Sequence, residues 1–303
     1  MARRSYSKST ARGSASKRRS GSRAFNLRPP SWPKSWPKPW PKAATRRRWL
    51  RILRTAPITL QVIIVLLLTV TTWFAINWIY QVVRKPTELF FPVSGTLYKT
   101  PAETWQSYQP IFRKHATATI TPDLLAALAQ VEGSGNPIVR TYWRWSLTLK
   151  PFDVYRPASS AVGMYQITDG TFQETRRYCI HDHIVVEDGP WHDFRSCWFN
   201  SLYMRIIPSH AVEMTSAYLD RRIATILGRH RIRSATLKQK QDLAAVIHVC
   251  GAGAGNSYAR RGFRTRPGQK CGDHSVSGYL SRVSAMKQTF QRLSRLPPEE
   301  RFF

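Results

Sequence analysis

The stretch TPDLLAALAQVEGSGNP, residues 121–137, decides how the chain folds. Pro122 suits the first position of a helix with Thr121 as its N-cap, Leu124, Leu128 and Val131 recur at i, i+4 and i+7, and the run stops at GSGNP. This spacing predicts a helix with one apolar face. Glu132 follows Leu128 by four residues, so one carboxylate projects from roughly the face that the leucines bury. Burial disfavours the charged form, and so does the negative end of its own helix. A carboxyl held that way suits proton donation to a leaving oxygen near neutral pH, the task of a general acid in glycoside cleavage. The same position also accommodates a helix-end glutamate that turns to water or pairs with Arg140.

Working outward, periodic stretches around residues 168–178, 209–228, 236–249 and 276–293 predict further helices, and no sustained period-two alternation or long internal repeat appears. The fold class expected is mainly α. Upstream, PITLQVIIVLLLTVTTWFAINWIYQVV, residues 57–83, carries no charged side chain over 27 positions and is long enough to cross a bilayer as a helix. Trp73, Trp78 and Tyr80 gather toward one end, as in an interfacial belt. A cleaved signal peptide fits worse, because the apolar core is long, starts after a tail of 56 residues and shows no clear small-x-small site.

Charge is distributed unevenly along the 303 residues, whose formal net charge is +30. Residues 1–56 hold 17 Lys and Arg and no acid, and are rich in Ser and Pro, so a disordered basic tail is expected. Within it SWPKSWPKPWPK, residues 31–42, repeats Trp-Pro-Lys three times, which reads as a stiff solvated linker or as an interfacial segment touching anionic lipid. Nucleic-acid binding is a third reading for the tail and is not expected of the domain that follows. Arg46, Arg47, Arg48, Arg51 and Arg54 crowd one flank of the apolar run, whereas Arg84 and Lys85 alone follow it closely, so the positive-inside rule puts the tail in the cytoplasm and the remainder outside. The exported part keeps 28 Lys and Arg and all 17 acids, a basic balance that suits an anionic partner. The boundaries expected are a tail at 1–56, a transmembrane helix at 57–83, a juxtamembrane linker at 84–117 and a catalytic domain at 118–295.

All four cysteines, Cys179, Cys197, Cys250 and Cys271, lie in the exported part. On an oxidising side an even number reads as disulfides, and proximity favours Cys179–Cys197 and Cys250–Cys271. CIHDH, residues 179–183, offers a rival metal reading through Cys179, His181, His183 and Cys197, but the spacing matches no standard zinc pattern and no metal or other cofactor is expected.

Three blocks carry a resemblance. EGSGNP (132–137), ASSAVGMYQITDGTF (158–172) and AAVIHVCGAGAG (244–255) are similar, in order and chemistry, to the blocks of the soluble lytic transglycosylase catalytic domain, a member of the lysozyme-like superfamily. That family's pattern is Glu-Ser-x-x-Asn-Pro, then Gly-Leu-Met-Gln, then Ala-Tyr-Asn-Ala-Gly-Pro-Gly. Glu132, Asn136 and Pro137 match the first block, Gly163 and Gln166 the second, and Ala252, Gly253 and Gly255 the third. Gly133 stands in place of the serine, Met164–Tyr165 where Leu-Met is usual, and Cys250–Gly251 where Tyr-Asn is usual.

The resemblance implies cleavage of the β-1,4 bond between N-acetylmuramic acid and N-acetylglucosamine in peptidoglycan by Glu132 alone, with closure of a 1,6-anhydro ring. It implies substrate contacts at Gln166, Tyr165, Met164, Ser134 and Gly253; joined to the apolar run and its arginine flank, it leads to the expectation of a single-pass protein of the bacterial inner membrane with its domain in the periplasm. A lysozyme-like hydrolase and a non-catalytic wall-binding or envelope-assembly protein are the alternatives. The first needs a second carboxylate, for which Asp123, Asp153 and Asp169 lie near in sequence. The interval between the first two blocks is longer than usual, and its Tyr142, Trp143, Trp145, Phe152 and Tyr155 suit either stacking on sugars or core filling.

Overall fold

Helix α1 (Ile58–Arg84) takes up the apolar run, with most of its side chains turned away from the rest of the chain. It is long and apolar enough to cross a membrane. The computed structural model describes residues 55–297 except 191, 194 and 195. Expectations for the basic tail, its Trp-Pro-Lys repeats and its arginine flank fall before residue 55 and lie outside the described residues. The chain divides into two compact units, Met1–Leu66 and Leu67–Phe303, and everything below concerns the second.

Residues 84–117 are not a plain linker. A 3₁₀ turn (Pro86–Phe90) and a short helix α2 (Phe91–Ser94) lead into α3 (Pro101–Lys114). Thr100 opens α3 with a capping box: its hydroxyl accepts from the Glu103 amide, and the Glu103 carboxylate accepts from the Thr100 amide. Trp105, Tyr108 and Phe112 then recur on one face and are buried in the same core as the later helices. Burying such rings stabilises by about 2–3 kcal/mol each, which makes this segment part of the domain rather than a tether to it.

The core is built by α4 (Pro122–Gly133), α6 (Pro208–Arg229), α7 (Leu237–Arg260) and α8 (Val276–Arg295), with α4 packed chiefly on α8 and α6 on α7. Leu125, Leu128, Met214, Leu219 and Phe290 are completely enclosed there. Mainly helical architecture is therefore found, as the apolar periodicities imply. Between α4 and α6 the chain makes a short helix α5 (Asp169–Thr175) and two antiparallel ribbons, β1 (Trp143–Trp145) with β2 (Tyr155–Pro157) and β3 (Tyr178–His181) with β4 (Ile184–Glu187). A third ribbon pairs β5 (Lys270–Cys271) with β6 (His274–Ser275). Strands this short leave no alternation long enough to read in advance.

The two cysteine pairs are bonded as proximity suggests. Cys179–Cys197 ties β3 to the segment before α6, and Cys250–Cys271 ties α7 to β5, each with Cα atoms 5.4 Å apart. A metal at CIHDH is thereby deprived of its two thiolates, and His183 instead pairs its Nδ1 with the Ala116 carbonyl at 2.9 Å.

Candidate active site

Helix α4 starts where Pro122 predicts, but Thr121 does not cap it. Its hydroxyl accepts from Gln241 Nε2 at 3.0 Å, which fastens the helix to α7 instead. At the other end Ser134 takes a left-handed conformation (φ 48°) and the Gly135 amide donates back to the Ala129 carbonyl at 3.1 Å. Asn136, fully buried, then closes the turn: its Nδ2 donates to the Ser94 carbonyl at 2.6 Å and its Oδ1 accepts from the Ile138 amide at 3.0 Å. The Asn-Pro pair of the first block thus locks the chain direction immediately after Glu132.

The second block lies across this helix end. A Cβ on Gly133 would stand 3.0 Å from Met164 Cα and 3.0 Å from its carbonyl oxygen, so a residue without a side chain permits the two segments to touch. This gives a physical reason for glycine where the family's pattern has serine. Gly163 has φ +78°, and its amide donates to the Val139 carbonyl at 3.2 Å. Met164 is wholly buried, and Tyr165, also buried, donates its hydroxyl to the Leu125 carbonyl at 3.1 Å. Gln166 donates its side-chain amide to the Gly163 and Val139 carbonyls at 2.9 and 3.3 Å, an internal brace for the turn. Arg205 adds a second brace from outside the motif, donating to the Ser160 and Ile167 carbonyls and pairing with Asp169 at 2.8 Å.

Glu132 meets two groups that sequence reading did not single out. Tyr279, on α8, donates its hydroxyl to Glu132 Oε1 at 2.5 Å, and His248 Nε2, on α7, lies 3.7 Å from the same oxygen. Burial first, then the Glu132 charge, pushes the Tyr279 phenol well above its usual range, so it remains a proton-bearing donor. Burial lowers the pKa of His248 against the opposing pull of Glu132, so its imidazole is neutral at neutral pH, and the ring hydrogen-bonds the Tyr165 backbone. His248 therefore joins the first block to the second. It precedes Gly251, where α7 leaves helical geometry (φ 78°, ψ 170°).

A cavity of about 210 Å³ opens beside His248, walled by Tyr165, Gln166, Thr168, Tyr218, His248 and Gly251; Glu132 and Tyr279 are not among its walls. Ser134 and Gly253 are not among its walls; Gly253 sits exposed on the last turns of α7 with open space beside it. Arg140 pairs with the buried Glu88 at 3.0 Å rather than with Glu132. Asp153 pairs with Arg84 and Arg156, each at 3.5 Å, Asp123 accepts from Gln291, and Asp169 is held by Arg205. The five aromatics of the insert between the blocks do not line the cavity. They gather along α1, where Phe74 meets Trp145 and Tyr155 edge-on and Tyr80 stacks on Phe152.

An acid at the end of a buried helix, pinned by a tyrosine from a second long helix and flanked by a glycine turn, defines a helical, lysozyme-like domain. Residues 109–254 match the family model described as the transglycosylase SLT domain, and this part of the chain belongs to that family. The family's domains are of the lytic transglycosylase type and act on peptidoglycan. No curated protein and no solved structure matches the chain. The match runs from inside α3 to inside α7, so it takes in Glu132 and His248 but not Tyr279.

Three histidines, His115 buried and His210 and His248 partly so, give this fold a pH dependence. His115 lies 3.6 Å from Glu213, His210 stacks on Tyr203 and accepts the Met204 amide, and burial lowers the pKa of both, as it does of His248. A base whose folded pKa lies below its unfolded value of 6.5 takes up its proton in the unfolded chain first, so stability falls as pH drops through and below that value. The thermal unfolding midpoint is expected to be lower at about pH 5.5 than at about pH 7.5. An unchanged or higher midpoint at the lower pH contradicts the neutral burial of these rings.

Proposed function

We propose that this chain is a membrane-anchored lytic transglycosylase that cleaves the MurNAc–GlcNAc β-1,4 bond of peptidoglycan with Glu132 as its single acid–base group. The observation that carries the reading is the seat of Glu132. It ends a buried helix, both of its contacts fall on Oε1, and Asp123, Asp153 and Asp169 are engaged with other partners. With Oε1 held by Tyr279, Oε2 is the oxygen left to exchange the proton. Protonated Glu132 gives its proton to the leaving O4 as the C1–O4 bond breaks. The carboxylate so formed takes the proton of the muramic C6 hydroxyl, whose oxygen bonds to C1 and closes the 1,6-anhydro ring. One proton leaves the acid and one returns, and no water enters the product. Gln166 and the backbone it braces form the cavity wall on which a glycan strand rests.

Mass spectrometry of muropeptides released from purified sacculi tests the chemistry. Products one water lighter than hydrolysis products, carrying the anhydro ring, are expected; reducing-end MurNAc instead assigns a lysozyme-like hydrolase, and no release assigns a wall-binding protein.

The anchor reading places α1 across the bacterial inner membrane, the basic tail in the cytoplasm and the domain in the periplasm, on the strength of its length, its hydropathy and the arginines before it. A reporter active only outside the cytoplasm is expected to work when fused after residue 90 and to fail when fused at residue 50. The reverse pattern overturns the topology and the wall substrate together.

A further inference from the structure

The insert between the first two blocks has no role in the chemistry above, yet it carries a run of exposed apolar side chains. Tyr142 and Trp145 are about two-thirds exposed, and Leu147 and Leu149 are fully exposed, at 107% and 102% of their reference areas. Four such side chains within eight residues, turned to water, cost free energy without return, since single exposed apolar residues are ordinary but a contiguous group marks a contact surface.

Its neighbour says what the contact is. The β1–β2 ribbon and its loop lie along the last third of α1: Phe74 against Trp145 and Tyr155, Tyr80 against Phe152. Two amides near the end of α1 are spent on the same segment. Asn77 Nδ2 donates to the Tyr155 carbonyl at 2.7 Å, and Gln81 Nε2 donates to the Phe152 carbonyl at 2.6 Å. A hydrocarbon core takes about 20 residues of helix. Counted from Ile58, it ends at Asn77, the first amide after Gln61, with Trp78 and Tyr80 in the next turn. The insert therefore lies at headgroup depth. Tryptophan and tyrosine favour that depth, and the exposed Arg144 and Lys150 can meet lipid phosphates from it. Between the ribbon and α1 an apolar groove of about 710 Å³, lined by Phe74, Trp78, Tyr142 and Trp143 among others, is open to the same level.

We propose that the insert, residues 142–157, is a second membrane contact, seated in the interface of the leaflet where α1 emerges, with lipid acyl chains against Leu147, Leu149 and the groove. The proposal rests on α1 being a membrane span. Its polar bonds to α1 give the side-chain N–H groups of Asn77 and Gln81, on one side of the helix, carbonyl acceptors in the ribbon.

The test uses the full chain reconstituted into vesicles of phosphatidylethanolamine and phosphatidylglycerol. All four native cysteines are bridged, so a single introduced thiol can carry an environment-sensitive fluorophore. Leu147→Cys and Leu149→Cys report on the insert, Leu237→Cys on an exposed site outside it, and Leu68→Cys on the middle of α1. Lipids bearing a nitroxide near the headgroup are expected to quench the labels at 147 and 149 strongly and the label at 237 little, while a nitroxide deep in the acyl chain quenches the label at 68. If 68 is quenched and 147 and 149 answer only to aqueous iodide, the insert faces water and the proposal fails while the anchor stands. Labels at 147 and 149 shielded from both quenchers mean that a protein surface covers the insert, which also overturns it. If 68 is not quenched by lipid, the anchor reading fails and the insert proposal with it.

Discussion

Glu132→Gln is expected to lower turnover on sacculi by roughly 10²–10⁴, the range for loss of general acid–base catalysis, with folding and wall binding retained. Glutamine keeps the length of the side chain and can still accept the Tyr279 hydroxyl at the position of Oε1. It can neither give a proton to the leaving oxygen nor take one from the C6 hydroxyl, so both half-reactions lose their carrier. Asp153→Asn and Asp169→Asn are the informative comparisons. Asp153 serves Arg84 and Arg156, and Asp169 serves Arg205, so their loss is expected to change stability modestly and turnover far less than the change at residue 132. Wild-type turnover in Glu132→Gln removes the catalytic assignment. Equal damage from Glu132→Gln and one Asp change, together with products that lack the anhydro ring, makes a two-carboxylate hydrolase the better reading.

Gly163→Ala is expected to be the most damaging single methyl in the domain. The backbone there holds φ +78°, which costs an L residue about 1–2 kcal/mol. The added Cβ also falls 2.4 Å from the Arg205 carbonyl oxygen and 3.2 Å from that of Pro137. Neither neighbour is a side chain that can swing away, so the turn carrying Gln166 must shift as a whole. A total of about 3 kcal/mol or more follows, lowering the unfolding midpoint by roughly 6–12 °C for a domain of this size. Gly170→Ala is the control: it lies in the first turn of α5 with nothing within 4 Å of its Cβ, and is expected to be neutral or slightly stabilising. Similar unfolding midpoints for the two variants contradict the close approach at Gly163.

What the sequence made legible was local. The apolar period of 121–133, the uninterrupted 57–83 run and the nearest-neighbour cysteine pairs each state their outcome within some twenty residues, and each appears as expected. Helix α3 was missed although Thr100, Pro101 and Glu103 spell out a capping box, because polar residues and Pro110 interrupt its apolar stripe. Tyr279 carries no local sign at all. Its meaning comes from a contact with Glu132, 147 residues earlier, and a tyrosine on an amphipathic helix reads as ordinary core filling. His248 was inside a recognised block, but neighbours in sequence do not reveal that its ring turns toward α4. The spacing of the insert's aromatics suits sugar stacking and core filling alike; their neighbour is α1, on which nothing in that spacing bears.

The pairing of α4 with α8 also fixes an order of events during synthesis. Glu132 leaves the ribosome well before Tyr279, and chains emerge at about 5–20 residues per second, so the carboxyl exists for seconds without the hydroxyl that orients it. Leu124, Leu128 and the rest of the apolar face of α4 likewise wait for Val283 and Phe290 to arrive. A nascent or prematurely terminated chain carries Glu132 without the hydroxyl that holds its Oε1, and the pair forms only when the helix at 276–295 has docked.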